Sequence, residues 1–122
     1  MKWICAILVM LMAPSLAFSL EVVSVAVEPD QYAVAGRPVD VSVMVTHRKS
    51  SKVDVNSFKL DGKSLKVEFL KDIQMSEQSN LVISIYQFVV EAKKKGLYTL
   101  APVSVKVNGV EYTSLESSYG VD

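Results

Sequence analysis

Side chains that could perform chemistry are few in this 122-residue chain and lie far apart. His47 is the only histidine, and it stands in the polar, basic segment HRKSSK at residues 47–52. With no second histidine, a zinc site would need carboxylates at a spacing that the sequence does not contain. We therefore expect His47 to be an exposed residue of a solvated loop, with an anion contact as the alternative role of this loop.

Serine and aspartate show no catalytic spacing. The chain contains no Gly-x-Ser-x-Gly segment, and no histidine on a strand end is available to activate a serine. The Asp-x-Asp-x-Asp-Gly order of a calcium loop is missing as well. Four isolated aspartates are interpreted as turn residues: Asp30, Asp54, Asp61 and Asp72. These patterns predict no catalytic residue, no metal site and no cofactor, so we expect a protein that is not an enzyme.

The first 19 residues have the order of a secretory signal peptide. Lys2 supplies the positive end, residues 3–12 are apolar, and Ala17 and Ser19 are the small residues of a cleavage site. A membrane anchor is the alternative, but the apolar segment is interrupted by Pro14 and is shorter than the roughly 20 residues of a spanning helix. The sequence predicts a signal peptide at residues 1–19, one mature domain at residues 20–122, and a periplasmic, cell-surface or secreted bacterial protein.

Composition restricts the partners of the mature domain. Its formal net charge is close to zero, because the whole chain is neutral and signal removal takes away only Lys2. A neutral domain provides no general field for nucleic acid or anionic lipid. The single cysteine, Cys5, lies inside the signal, so the mature domain must be stabilised by its apolar core and not by disulfides. We expect no nucleic-acid partner and no direct membrane span after signal removal.

Period-two patterns dominate the rest of the chain and predict β-strands. Residues 39–46 alternate valine with polar residues or methionine, residues 103–107 alternate again, and residues 81–92 form a near-continuous apolar run rich in β-branched side chains. A buried helix is the alternative for residues 81–92. We predict a strand there, with one core shared by Val41, Val43, Phe88 and Val105.

Turn signals separate these strands. Asp61-Gly62 predicts a hairpin between residues 53–60 and 65–70, and Asn108-Gly109 predicts another in which residues 110–114 pair back. Residues 72–80 lack a sustained period and are predicted to be the longest loop, with a single helical turn as an option. Seven or eight short strands of this kind favour an all-β fold, an antiparallel immunoglobulin-like β-sandwich, with an open barrel as the alternative.

The segment at residues 86–114, YQFVVEAKKKGLYTLAPVSVKVNGVEYTS, resembles a known family. Its aromatic strand, basic corner with glycine, Tyr-Thr-Leu-x-Pro strand, alternating valines, Asn-Gly turn and Tyr-x-Ser ending are similar to the oxygen-tolerance (BatD-like) family of bacterial exported proteins. Residues 25–45 match the early part of that pattern. Members have several β-sandwich repeats and a membrane anchor, and are encoded beside von Willebrand-type proteins and a MoxR-type ATPase, whereas this sequence has one repeat and no second apolar segment.

This resemblance implies a non-enzymatic protein-interaction module of the bacterial envelope, with von Willebrand-type membrane proteins among its possible partners. A free-standing periplasmic chaperone or surface-fibre subunit that pairs through an edge strand is the alternative function.

The predicted interaction edge is the last hairpin together with the tail through Tyr119: Val103, Val105, Val110, Tyr112 and Tyr119. Internal pairing of the tail is the alternative. Gly96 and Tyr98 are predicted to form a structural corner, in which the tyrosine hydroxyl bonds back to nearby backbone. The lysines of that corner, at residues 93–95, keep it soluble and discourage edge aggregation.

Overall fold

A computed structural model describes residues 23–76 and 79–122, and none of these residues is helical. The predicted signal peptide therefore lies outside the described residues. Within those ranges there is no helix that is long and apolar enough to cross a membrane.

Ten strands make up the described chain. They are β1 (Ser24–Pro29), β2 (Val39–Arg48), β3 (Val53–Leu60), β4 (Lys63–Ser64), β5 (Glu68–Gln74), β6 (Leu81–Val90), β7 (Gly96–Leu100), β8 (Val103–Val107), β9 (Val110–Thr113) and β10 (Ser117–Val121). All pairs are antiparallel. The first sheet has the order β1-β2-β6-β5, the second has the order β4-β3-β8-β9, and β10 pairs with β7 as a two-stranded ribbon.

The two four-stranded sheets enclose one apolar core, as an antiparallel β-sandwich requires. Phe58 of the second sheet and Tyr86 of the first meet across it, with ring centroids 4.9 Å apart. The four residues predicted to share the core, Val41, Val43, Phe88 and Val105, are all buried there. The all-β antiparallel prediction is confirmed, and residues 23–76 and 79–122 contain ten strands where seven or eight were expected.

β2 illustrates how the sequence produces this core. Its valines at positions 39, 41, 43 and 45 are at most 1% exposed, while the residues between them face outward and are half-buried or exposed. Burying one such side chain contributes about 1.5–3 kcal/mol. The long ladder between β2 and β6, from Val39↔Val90 to Arg48↔Leu81, fixes which side chains of β6 also face inward.

The predicted tight turns are present. Asp61 and Gly62 have φ values of 53° and 77°, and Asn108 and Gly109 have φ values of 52° and 79°. Two consecutive residues with positive φ are the signature of the turn that suits a two-residue hairpin. The Asn108 turn joins β8 to β9 as expected.

The predicted hairpin between residues 53–60 and 65–70 is wrong beyond its turn. Only Lys63 and Ser64 pair back on β3, after which the chain crosses to the other sheet and β5 pairs with β6. Leu65 still donates its backbone N–H to the carbonyl oxygen of Phe58 in β3, and the side chains of Leu65 and Val67 pack against the core as the chain crosses. β5 also continues to Gln74, into the residues predicted as a loop, because Asp72, Ile73 and Gln74 find partners on β6.

Candidate functional site

The predicted interaction edge is mostly interior. Val103 and Val105 are 0% exposed, and their strand β8 lies between β3 and β9. A strand with neighbours on both sides has no free backbone groups to offer, so neither residue is at an edge. Val110 and Tyr112 are on β9, the terminal strand of the second sheet, where Val110 is 53% exposed and Tyr112 is half-buried.

The tail pairs internally, which was the alternative. Tyr119 stands opposite Tyr98 in the β10–β7 ribbon, it is buried, and the two rings stack with centroids 5.6 Å apart. Asp122 continues the attachment, because its backbone N–H donates to the carbonyl oxygen of Ala33. The tail therefore helps to close the sandwich, and Tyr119 presents almost no surface to a partner.

The structural corner contains the bond expected of it. The Tyr98 hydroxyl donates to the carbonyl oxygen of Lys94 over 2.6 Å, four residues upstream. Gly96, at φ 155°, lies beneath the same ring, since a Cβ at this position would stand 3.8 Å from ring atoms of Tyr98. The Lys93 ammonium lies 5.6 Å from the ring centroid. These contacts make the corner a fixed structural element.

β5 is the longest strand at the end of a sheet in the described part of the chain. It pairs with β6 on one side, and no described strand pairs with its other side. Every residue of β5 is exposed. Apolar side chains are concentrated on it and just beyond its end: Phe69, Leu70, Ile73 and Met75 are 41–53% exposed. A long edge strand with exposed apolar side chains is the type of surface to which another strand adds.

The free backbone groups of β5 follow from its register. The Met75 N–H donates to the carbonyl oxygen of Leu81 and therefore points towards β6. Antiparallel ladders alternate, so Ile73 also faces β6 with its backbone groups, whereas Asp72 and Gln74 direct their N–H and C=O groups away from β6. The open edge thus offers two donors and two acceptors within three residues.

A bulge at Leu70 determines which side chains of β5 face the interior. Phe69 stands opposite Tyr86 and Lys71 opposite Ile85, so Leu70 is an extra residue without a partner. Phe69 packs on Tyr86, with centroids 5.5 Å apart. In a regular strand Lys71 would then also face inward, but the extra residue shifts the alternation by one. Asp72 faces inward in its place.

Asp72 ends a chain of hydrogen bonds on the inner face of the first sheet. The Ser84 hydroxyl donates to the Asp72 carboxylate over 2.6 Å, and the same hydroxyl oxygen lies 2.7 Å from Nε2 of His47. The other ring nitrogen, Nδ1, donates to the carbonyl oxygen of Arg48 over 2.8 Å. His47 lies in β2 and is 7% exposed, so the prediction that it is an exposed loop residue is wrong. Asp72, interpreted as a turn residue, lies instead in a strand.

These three residues line a cleft at the side of the sandwich, between β5 and the segment that joins β2 to β3. Its volume is about 420 Å³. The lining comprises His47, Lys49, Ser51, Lys52, Val53, Phe69, Asp72, Gln74, Val82, Ser84 and Tyr86. Burial raises the pKa of the Tyr86 hydroxyl above its ordinary value of 10.0; the charge of Asp72 acts in the same direction, and a hydrogen bond with Ser84 opposes both.

The order of the groups in this chain is not that of a nucleophilic triad. In a triad the histidine lies between the acid and the serine and removes the serine proton. Here Ser84 lies between His47 and Asp72, and its hydroxyl donates its proton to the Asp72 carboxylate and not to His47. Within the described residues, no group of three or more His, Cys, Asp or Glu side chains is placed to hold a metal ion. The arrangement instead anchors β5 to β6 and β2.

The sequence contained a signal for one of these residues. His47 follows Val39, Val41, Val43 and Val45 at the next period-two position, so the alternation itself placed it inward. Asp72 gave no such signal, because its direction depends on the bulge at Leu70. This chain matches no protein-family model, no curated protein and no solved structure in the comparisons.

Proposed function

We propose that this chain is a non-enzymatic protein-interaction module of the bacterial envelope and that its partner adds a strand to β5. The observation that carries the proposal is the open edge of β5, with outward backbone groups at Asp72 and Gln74 and exposed apolar side chains beside them. In such complexes the main-chain hydrogen bonds supply affinity, and alternate side chains supply specificity.

The other terminal strands are less suitable. β4 has two residues and β9 has four, which limits the number of backbone bonds that each can make. β1 ends at Pro29, and the Ser117 hydroxyl donates to the carbonyl oxygen of Val27, so part of this edge is already used. Seven residues make β5 the best template in the described ranges.

Protective features of β5 favour a specific partner over general aggregation. Natural edge strands resist indiscriminate pairing through bulges, lysines and inward-pointing charges. β5 has all three, in the bulge at Leu70, the side chain of Lys71 and the inward carboxylate of Asp72. A partner must therefore complement these features, which is how specificity against wrong partners is achieved.

The family and the compartment form part of the same proposal. The first sheet has the strand order β1-β2-β6-β5, and the second contains β3-β8-β9. Constant-type immunoglobulin domains also place their first, second, fifth and fourth strands in one sheet and their third, sixth and seventh in the other, so this order supports an immunoglobulin-like fold. The resemblance to the oxygen-tolerance (BatD-like) family makes von Willebrand-type membrane proteins the partners to examine first.

Export follows from the signal sequence at residues 1–19. We expect the mature protein to begin within two residues of Leu20; an intact Met1 on protein recovered from the cytoplasm would contradict export.

A matched pair of substitutions tests the edge. Gln74→Pro removes an N–H group that points away from β6, so it leaves the internal ladder intact, and proline is tolerated at such edge positions. Gln74→Ala removes the same side chain but keeps the N–H group. We expect the alanine protein to retain its partners in pull-downs from envelope extracts and the proline protein to lose them, while both show the same thermal midpoint.

Retention of every partner by a folded Gln74→Pro protein would contradict the proposal. The identity of the captured protein also separates the two functions that an edge strand allows. A von Willebrand-type protein supports the envelope module, whereas an usher or pilin subunit supports the chaperone or surface-fibre alternative.

A further inference from the structure

The backbone groups of the open edge and the cleft beside it belong to the same residues. Asp72 and Gln74 present N–H and C=O groups to an added strand, and their side chains line the cleft. Residues that stand directly opposite each other in an antiparallel pair have their side chains on the same face of the sheet. The side chains of an added strand opposite Asp72 and Gln74 must therefore face the cleft.

The charges at the cleft indicate which side chains fit there. Lys49 and Lys52 line it and are exposed. Neither ammonium group has an ion-pair partner in residues 23–76 and 79–122. Asp72 supplies a negative charge, but one of its oxygens already accepts the Ser84 hydroxyl proton. Lys49 also lies towards the Gln74 end of the cleft, since its N–H donates to Asn80 next to the start of β6, where Val82 pairs with Gln74.

We infer that the strand added to β5 is an acidic peptide segment, with an aspartate or glutamate opposite Gln74 that pairs with Lys49 and Lys52. This inference rests on the proposed function. The residue opposite Asp72 must not be acidic, because like charges directly opposite each other destabilise a strand pair. Phe69 and Val53 also line the cleft, so it offers apolar contacts as well as the two lysines.

Selection from a library of displayed random 12-residue peptides on the immobilised protein tests the inference. We expect the selected peptides to be enriched in aspartate or glutamate. The double variant Lys49→Gln/Lys52→Gln should weaken their binding roughly three- to tenfold, as expected for loss of two partly exposed ion pairs. The matched control Lys94→Gln/Lys95→Gln makes the same charge change at the other end of β6 and should leave binding unchanged.

The proline variant separates the two levels of the proposal. If Gln74→Pro abolishes peptide binding but the lysine pair at the cleft has no effect, or if the selected peptides lack acidic residues, the inference is wrong and the edge proposal stands. If binding is indifferent to Gln74→Pro, or if no peptide binds, the edge proposal itself is wrong. Self-association of the wild type that Gln74→Pro abolishes would identify a second copy as the occupant and overturn the inference.

Discussion

Substituting Ser84 by alanine should destabilise the domain more than substituting Asp72, the carboxylate to which Ser84 donates. Ser84 is 3% exposed and holds His47 and Asp72 through one hydroxyl group. Without it, Nε2 of the buried His47 ring has no partner, and leaving such a group unsatisfied costs about 1–3 kcal/mol. Asp72 is exposed, so water replaces its lost donor at little cost. The expected loss in the free energy of unfolding is therefore about 1–3 kcal/mol.

Urea unfolding followed by circular dichroism measures this loss. A decrease of about 2 kcal/mol shifts the midpoint by roughly 1–2 M for a domain of this size. Asp72→Ala should cost less than about 1 kcal/mol, because Ser84 keeps His47 as a partner. Ser118→Ala, an exposed serine of β10, is the control and should change stability by less than about 0.5 kcal/mol. A loss below about 0.5 kcal/mol for Ser84→Ala, or an equal loss for Asp72→Ala, would show that His47 does not depend on the Ser84 hydroxyl.

Three further predictions concern the packing of the core, the stability of the fold above pH 10 and the role of the tail. Phe88→Ala should lower the free energy of unfolding by about 3–5 kcal/mol because the side chain is buried. The same change at Phe69, which is 50% exposed, should cost roughly half as much. Equal losses for the two substitutions would contradict the register of β5. The pKa of Tyr86 is raised in the folded state, so its contribution to stability is complete below about pH 10 and is lost as pH rises through the folded pKa. The melting temperature of the wild type should therefore fall more steeply above pH 10 than that of Tyr86→Phe. Parallel curves for the two proteins would contradict this prediction. A chain ending at Ser114 lacks β10, and with it the buried Tyr119, so it should show no cooperative melting; a folded truncated protein would disprove the closing role of the tail.

Local patterns predicted the elements whose side chains alternate without interruption. The valines of β2 indicated one buried face, and the two Asp-Gly and Asn-Gly turns required residues with positive φ. The corner at Tyr98 was predictable for a similar reason, since its hydroxyl reaches backbone only four residues away.

Features that depend on more distant contacts were not predictable. β5 reads as a return strand after Asp61-Gly62, but it pairs with β6 because the chain crosses between the sheets at Leu65 and Val67. The inward direction of Asp72 depends on one extra residue, and a shift of one residue reverses every side chain that follows. The cleft arises from these two events together.

The prediction that Val103 and Val105 lie at an edge was wrong for a related reason. The alternation of valine with polar residues at residues 103–107 identified Val103 and Val105 as members of a strand. It carried no information on whether that strand has one neighbouring strand or two. The pairing of the tail with β7 is likewise a long-range contact, and it converts Tyr119 from a candidate surface residue into part of the core.

Residue-resolved amide hydrogen exchange by NMR shows whether a partner strand pairs with β5. In the protein alone, the amides of Asp72 and Gln74 should exchange rapidly while that of Ile73, which faces β6, is protected. Addition of the tightest-binding displayed peptide should protect Asp72 and Gln74. If these two amides still exchange rapidly with the peptide bound, and protection appears instead along β9 or elsewhere, the partner does not add to β5.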